Sequence, residues 1–152
     1  MANAYVFPGG KVDPGDSHPD LFPLCGLSPE EAAEKLGDVP PEVALGYFLA
    51  AIRETFEEAG VLLATNSEGN ILSLADEDEL TRFDNYRARI HSGAMAMDQL
   101  ARDEQIRFGL EHLMYWDHWV TPEVEERRYS ARFFLAKMPN GFIPVHDSQE
   151  TT

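Results

Sequence analysis

The 152-residue sequence lacks most features of secreted and membrane-spanning proteins. It contains one cysteine, Cys25, so no disulfide can form within the chain, and this fits a reducing compartment. No apolar run approaches the roughly 18–20 residues that a membrane span requires. The first residues lack the basic start and the apolar stretch of a secretory signal. We therefore expect a cytoplasmic protein with no membrane partner.

Positive charge is also scarce. Twelve Lys and Arg residues stand against 27 Asp and Glu residues, which gives a net charge of −15. Such a surface repels nucleic acid, and no basic stripe offsets it, so we expect no nucleic-acid partner. Phosphate compounds are not excluded, because bound Mg²⁺ or Mn²⁺ can reverse the local sign of the charge.

The length allows one domain, residues 1–152, with a sizeable core. Turn residues and apolar periodicity predict the order of its elements. We expect a short strand at Tyr5-Val6, an irregular loop from 17 to about 27, and a polar turn at 66–70. We expect helices near 29–36, 42–59, 79–91 and 95–102, and strands near 61–64, 114–120 and 129–136.

The strongest helical pattern runs from about 42 to 59. Phe48, Ile52 and Phe56 recur every four residues, which is typical of a buried stripe, and Gly60 is placed as the C-terminal cap. Each residue advances about 100° around a helix, so Glu54 and Glu58 share a face that points away from this stripe.

Glu57 lies beside Glu54 and Glu58, so three carboxylates crowd together and repel one another. A hard cation with oxygen ligands removes that repulsion. Arg53 precedes Glu57 by four residues and can pair with it. Alone, this pattern is more often a solvated acidic face with one ordinary ion pair. Its interpretation as a metal site depends on the rest of the segment and on the Gly9-Gly10 turn upstream.

Residues 53–61, RETFEEAGV, resemble the second half of the Nudix box, R-E-U-x-E-E-x-G-U, in which U is apolar. Gly10 and Asp16 resemble its first half, G-x5-E, with Asp in place of Glu. The acid of the usual box precedes the arginine by eight residues, whereas here the separation is 37. Residues 17–45 therefore form an insertion within the box.

A similar interruption characterises the Nudix subgroup that includes the peroxisomal coenzyme A diphosphatases. Other segments that resemble this subgroup are 5–10, 50–64, 119–122 and 132–136. The resemblance implies an α/β fold, an α/β/α sandwich with a mixed sheet. We expect that its first strand is incomplete and that both termini are truncated. An exposed sheet edge would favour a homodimer.

The resemblance further implies an enzyme, a metal-dependent pyrophosphohydrolase that cleaves a nucleoside diphosphate linked to another moiety. Coenzyme A or acyl-CoA is the leading small-molecule substrate. The implied cofactor is Mg²⁺ or Mn²⁺, held by Glu54, Glu57 and Glu58, with the shorter Asp16 as a further candidate. The implied catalytic residues are Glu57, Glu58 and Arg53, and the residues expected to contact substrate are Phe7, Gly9, Gly10 and Trp119.

Two other functions stay open: a Nudix-like regulatory module that binds a nucleotide without cleaving it, and a plain acidic interaction domain. The three crowded glutamates favour the enzyme, because a pure binding protein has no need of them. Glu150 lies where some Nudix enzymes place a late acid, although a tail residue is at least as good an interpretation. Cys25 is a weak candidate nucleophile, since His18 is the only histidine near it in the sequence.

Overall fold

The computed structural model describes residues 7–122 and 129–145. The predicted strand at Tyr5-Val6 and the candidate late acid Glu150 lie outside them. The helices are α1 (Pro29–Leu36), α2 (Pro41–Ala59), α3 (Glu77–His91) and α4 (Met97–Asp103). The strands are β1 (Ala64–Thr65), β2 (Arg107–Phe108), β3 (Met114–Val120) and β4 (Ser130–Leu135). Among the described residues, no helix is both long and apolar enough to cross a membrane.

Helix α2 carries the box segment and runs through the core. It begins at Pro41, where the missing N–H of proline costs no helical hydrogen bond. It ends at Gly60, whose positive φ of 71° is the left-handed conformation that glycine adopts without strain. The predicted stripe of Phe48, Ile52 and Phe56 is buried, with at most 2% of each residue exposed. The prediction of this helix is confirmed.

The inserted segment 17–45 is mostly helical. Helix α1 begins with a capping box, in which the Ser28 hydroxyl accepts from the Glu31 N–H and the Glu31 carboxylate accepts from the Ser28 N–H. The predicted irregular loop from 17 to 27 is wrong, because 3₁₀ turns cover Pro14–Ser17 and Pro19–Leu24. Prolines preset the φ of such turns, and the second turn buries Leu21 in the core.

Strands β1 and β2 form one short antiparallel pair, to which Cys25 adds a parallel bridge at Phe108. Strand β1 is shorter than predicted, since the buried residues 61–63 precede it without strand pairing. Strand β2 was not predicted, because a strand of two residues shows no alternation of apolar and polar side chains. The described strands therefore form two antiparallel pairs rather than one continuous mixed sheet, and helices pack around them in an α/β arrangement.

The second antiparallel pair, β3 and β4, lies against α2 through one of its two faces. On that face the Phe134 ring is 4.8 Å from the Phe48 ring of α2 and 5.7 Å from Tyr115. The register shifts between Tyr115 and Asp117, which marks an irregularity of the β-bulge type. Because a bulge changes which face the following residues occupy, Asp117 and Trp119 lie on the opposite face from Tyr115.

Candidate active site

Arg53 lies at the centre of the candidate site. Its Nε and Nη2 atoms donate to the two carboxylate oxygens of Asp16 at 2.9 and 3.0 Å. Its Nη1 donates to Glu57 Oε1 at 3.0 Å, as the spacing of four residues predicts. Its Nη2 also lies 2.9 Å from Glu54 Oε1 and donates to the backbone carbonyl of Lys11 at 2.9 Å. One guanidinium therefore joins the loop before the insertion to two of the three glutamates.

Asp16 and Arg53 form a nearly buried ion pair. Burial by itself would lower the pKa of the Arg53 guanidinium, but its hydrogen bonds with Asp16 and Glu57 outweigh burial and raise that pKa. Asp16 is 4% exposed, and its Oδ2 also accepts from the Asp13 N–H at 2.8 Å. Both oxygens of Asp16 are thus turned towards Arg53 and its own loop.

The glycine turn packs directly on the acidic face of α2. The Gly9 N–H donates to Glu58 Oε2 at 2.8 Å. A β-carbon at position 10 would collide with the Glu54 carboxylate, so any other residue there would force this carboxylate to move. The structure therefore brings the predicted Gly9, Gly10, Glu54 and Glu58 together at one place.

The glutamates form an oxygen-rich surface with surplus negative charge. Burial raises the pKa of the Glu54 carboxyl; Arg53 opposes this shift, while the charges of Glu57 and Glu58 add to it. In the described part of the chain, no three His, Cys, Asp or Glu side chains converge on a point where one ion would fit. The donor set nevertheless consists of carboxylate oxygens, the ligands that Mg²⁺ and Mn²⁺ prefer.

Helix α3 supplies two residues that the sequence-based prediction missed. Arg87 Nε and Nη2 donate to the backbone carbonyls of Glu57 and Glu58 at 2.7 and 3.0 Å. His91 Nδ1 lies 3.5 Å from Glu57 Oε2. Arg87 and His91 are four residues apart and share a helix face, but nothing in their local sequence indicates which helix that face meets.

A cluster of aromatic rings lies on the face of β3 and β4 that points away from α2. The Phe133 ring is 6.1 Å from Phe7 and 5.9 Å from Trp119, in edge-to-face contact with both. The Trp119 indole N–H donates to Asp117 Oδ2 at 2.7 Å. The structure thus joins the predicted Phe7 and Trp119 through Phe133, which the sequence-based prediction did not single out.

Cys25 takes no part in this constellation. Burial raises the pKa of its thiol to about 12, an effect that the nearby Arg107 only partly offsets. The Sγ atom lies 3.1 Å from the Leu21 carbonyl, to which the thiol donates. Because the thiolate is the nucleophilic form, a buried thiol with this pKa is inert at neutral pH.

A family model described as the NUDT19 Nudix domain matches residues 1–152. The chain belongs to this family. It is 29% identical to an acyl-coenzyme A diphosphatase NUDT19 from Xenopus laevis over 100% of the chain, and 31% identical to the protein of the same name from Gallus gallus over 99% of it. Each alignment covers 47% of the relative, so this Nudix domain spans about half the length of these curated proteins.

A solved structure supports the same assignment. The crystal structure of a Nudix hydrolase from Alicyclobacillus acidocaldarius matches with a TM-score of 0.65 and 27% identity. The match covers 95% of this Nudix domain and 59% of the other chain. The predicted Nudix-type α/β fold is thereby confirmed.

Proposed function

We propose that this domain is a metal-dependent pyrophosphohydrolase that cleaves a nucleoside diphosphate linked to another moiety, with coenzyme A or acyl-CoA as the leading substrate. The observation that carries the proposal is the Arg53 network, which holds two box glutamates and the loop before the insertion at one place. The acyl-coenzyme A diphosphatase names of the relatives support the choice of substrate.

In this proposal Glu54, Glu57 and Glu58 hold the metal. Nudix hydrolases generally use divalent metal ions. Bound Mg²⁺ or Mn²⁺ would activate water and neutralise the charge of the diphosphate. The raised pKa of Glu54 supports this role, because a crowded and partly buried carboxylate gains most from a cation.

The other residues of the box act by positioning. Arg53 orients Glu57, and the Gly9 N–H holds the Glu58 carboxylate. Asp16 is better suited to holding Arg53 than to binding metal, since hydrogen bonds from Arg53 and from the Asp13 N–H engage its two oxygens. Glu57 and Glu58 are then the catalytic carboxylates; Arg53 fixes the geometry of Glu57 and the Gly9 N–H that of Glu58.

Substrate would lie over the glycine turn and the aromatic cluster, in contact with Phe7, Gly9, Gly10 and Trp119. Attack of water on one phosphorus breaks the bridging P–O bond and leaves two phosphate monoesters. From coenzyme A these are an adenosine nucleotide and phosphopantetheine. The cytoplasmic location and the homodimer stay predictions from the sequence.

The test is turnover by the purified protein with Mg²⁺ or Mn²⁺ and a panel of coenzyme A, an acyl-CoA, ADP-ribose and NADH, with products separated by chromatography. We expect metal-dependent cleavage of coenzyme A that Glu57→Gln abolishes. Glu42→Gln, an exposed glutamate in the first turn of the same helix, is the matched control and should retain full activity.

Absence of metal-dependent turnover across the whole panel, in protein shown to be folded by circular dichroism, would overturn the enzyme assignment. Tight nucleotide binding without turnover would support the regulatory module instead.

A further inference from the structure

The β3–β4 pair carries an open aromatic face, formed by Phe7, Asp117, Trp119 and Phe133. Asp117 and Phe133 are paired across the two strands, and Trp119 follows two residues after Asp117. Side chains two residues apart, and those directly paired, share a sheet face. The opposite face packs on α2, so the open aromatic face contributes nothing to that interface.

Two rings of the open aromatic face are exposed, while Phe133 between them is partly buried. Phe7 is 81% exposed and Trp119 is 67% exposed. Both contact Phe133 edge to face, and each still exposes more than half of its surface. Asp117 accepts the Trp119 indole N–H and so fixes the orientation of that ring. An exposed aromatic side chain held in one orientation is suited to stacking on a planar ligand.

This face is continuous with the acidic face of α2. Phe7 stands two residues before Gly9, whose N–H is bonded to Glu58. Two extended residues span at most about 7 Å. A ligand with its diphosphate at the glutamates can therefore extend along the turn from Gly9 to Phe7 and reach the rings.

Asp117 favours a nucleobase over the other parts of such a ligand. Hydrogen bonds from the Trp119 indole and from the His118 N–H lower the pKa of this carboxyl, which remains an acceptor-only group at neutral pH. A carboxylate has about four lone-pair sites, and these two bonds use two of them. The Asp117 carboxylate can accept a hydrogen bond from an exocyclic amino group, whereas it repels phosphate and makes no favourable contact with an acyl chain.

We propose that the open aromatic face is the nucleobase subsite, where an adenine-type ring stacks on Trp119 and Phe133 and its amino group donates to Asp117. This inference rests on the proposed function for the place of the diphosphate. It adds Phe133 and Asp117 to the residues that determine specificity, and it assigns the adenosine half of the substrate to this end of the site.

The test uses adenosine, an uncharged probe that requires neither metal nor turnover, in an NMR titration of the full chain with EDTA present. We expect adenosine to bind several times more tightly than inosine, which lacks the exocyclic amino group. Trp119→Ala should weaken adenosine binding about tenfold, which corresponds to about 1.4 kcal/mol, because the base loses an aromatic side chain on which it stacks.

Trp116→Ala is the matched control, because Trp116 lies in the same strand with a similar exposure of 65% and outside the ring cluster. It should leave adenosine binding within about twofold of the unmodified protein. Phe133→Leu keeps an apolar side chain and tests the second ring with less risk to folding.

Equal effects of Trp119→Ala and Trp116→Ala, or no preference for adenosine over inosine, would overturn the subsite. The subsite would also be overturned if the Trp119→Ala protein bound adenosine normally but no longer bound phosphopantetheine. The same holds if it bound adenosine normally but sedimented as a dissociated dimer. Adenosine binding in a protein that cleaves no member of the substrate panel would defeat the proposed function alone. Cleavage of coenzyme A with an unchanged KM in Trp119→Ala would defeat the subsite alone.

Discussion

Arg53 and Arg132 are both nearly buried, and each pairs with an aspartate that is remote in the sequence. Their side chains are 12% and 4% exposed. Arg53 binds Asp16, which immediately precedes the insertion, whereas Arg132 donates to Asp38 inside the insertion at 2.8 Å. The side chain of Asp16 is 5% exposed, but that of Asp38 is 50% exposed.

The surroundings of these two arginines also differ. Arg53 is bound by carboxylates and a backbone carbonyl, whereas Arg132 lies 4.8 Å from the Tyr47 ring and donates to the Tyr115 hydroxyl at 3.1 Å. Within the described residues the buried Nε of Arg132 has no hydrogen-bond acceptor. Arg53 therefore organises the acidic site, while Arg132 attaches the insertion to the β3–β4 pair. Burial of the aspartate decides how much each pair stabilises the fold.

The largest expected effect comes from Asp16→Ala, which removes the buried partner of Arg53. Arg53 keeps Glu54 and Glu57 as partners, but it loses both hydrogen bonds to Asp16. A hydrogen bond between charged groups contributes about 1.5–3 kcal/mol, so we expect the free energy of unfolding to fall by about 3 kcal/mol. Urea denaturation measures this change. Asp13→Ala is the control, because Asp13 is 3.8 Å from the same guanidinium but 63% exposed. It should cost about 0.5 kcal/mol. Equal losses would show that burial does not distinguish these aspartates.

An intermediate effect is expected for Arg87→Met, which releases the last turn of α2 beside the Arg53 network. Arg87 bonds to the backbone carbonyls of Glu57 and Glu58 and so fixes the orientation of these two residues. Without these bonds the two carboxylates are less well oriented, and the affinity for Mn²⁺ should fall about tenfold. Electron paramagnetic resonance of free Mn²⁺ measures the dissociation constant.

Arg82→Met provides the control for Arg87→Met. Arg82 lies on the same helix and makes a comparable two-point contact, with Glu104 at 2.8 and 3.2 Å, away from α2. Its loss should leave the Mn²⁺ dissociation constant unchanged. Equal dissociation constants for the Arg87→Met and Arg82→Met proteins would show that Arg87 does not affect metal binding and has only a structural role.

The smallest effect is expected for Asp38→Asn. The hydrogen bond from Arg132 is the main reason that the pKa of Asp38 lies below its ordinary value of 3.8. A carboxyl with a lowered folded-state pKa stabilises the fold above its unfolded-state pKa and loses that contribution as pH falls through the folded-state pKa. The unmodified protein should therefore have a slightly higher melting temperature than the Asp38→Asn variant at neutral pH, and the difference should vanish in acid. Melting curves recorded from neutral to acidic pH measure this difference, and a difference independent of pH would contradict the prediction.

The box helix was predictable because its information is local. The four-residue recurrence of Phe48, Ile52 and Phe56 determines which side of α2 is buried, and the same rotation places the glutamates on the other side. Pro41 and Gly60 mark its ends through φ preferences that belong to single residues. Strand β2 and the 3₁₀ turns were missed because segments this short carry no periodicity.

The sequence by itself therefore determined the helix, its acidic face and its family, since backbone preference and helical rotation act between neighbours. Only the tertiary structure decided the partners of that face. Asp16 reaches Arg53 across 37 positions, and Arg87 reaches the carbonyl of Glu57 across 30. Trp119 meets Phe133 because a register shift in β3 places Asp117 and Trp119 on the side of the strand pair that points away from α2. Such contacts depend on how the loops bring distant parts of the chain together, and no local sequence pattern specifies this.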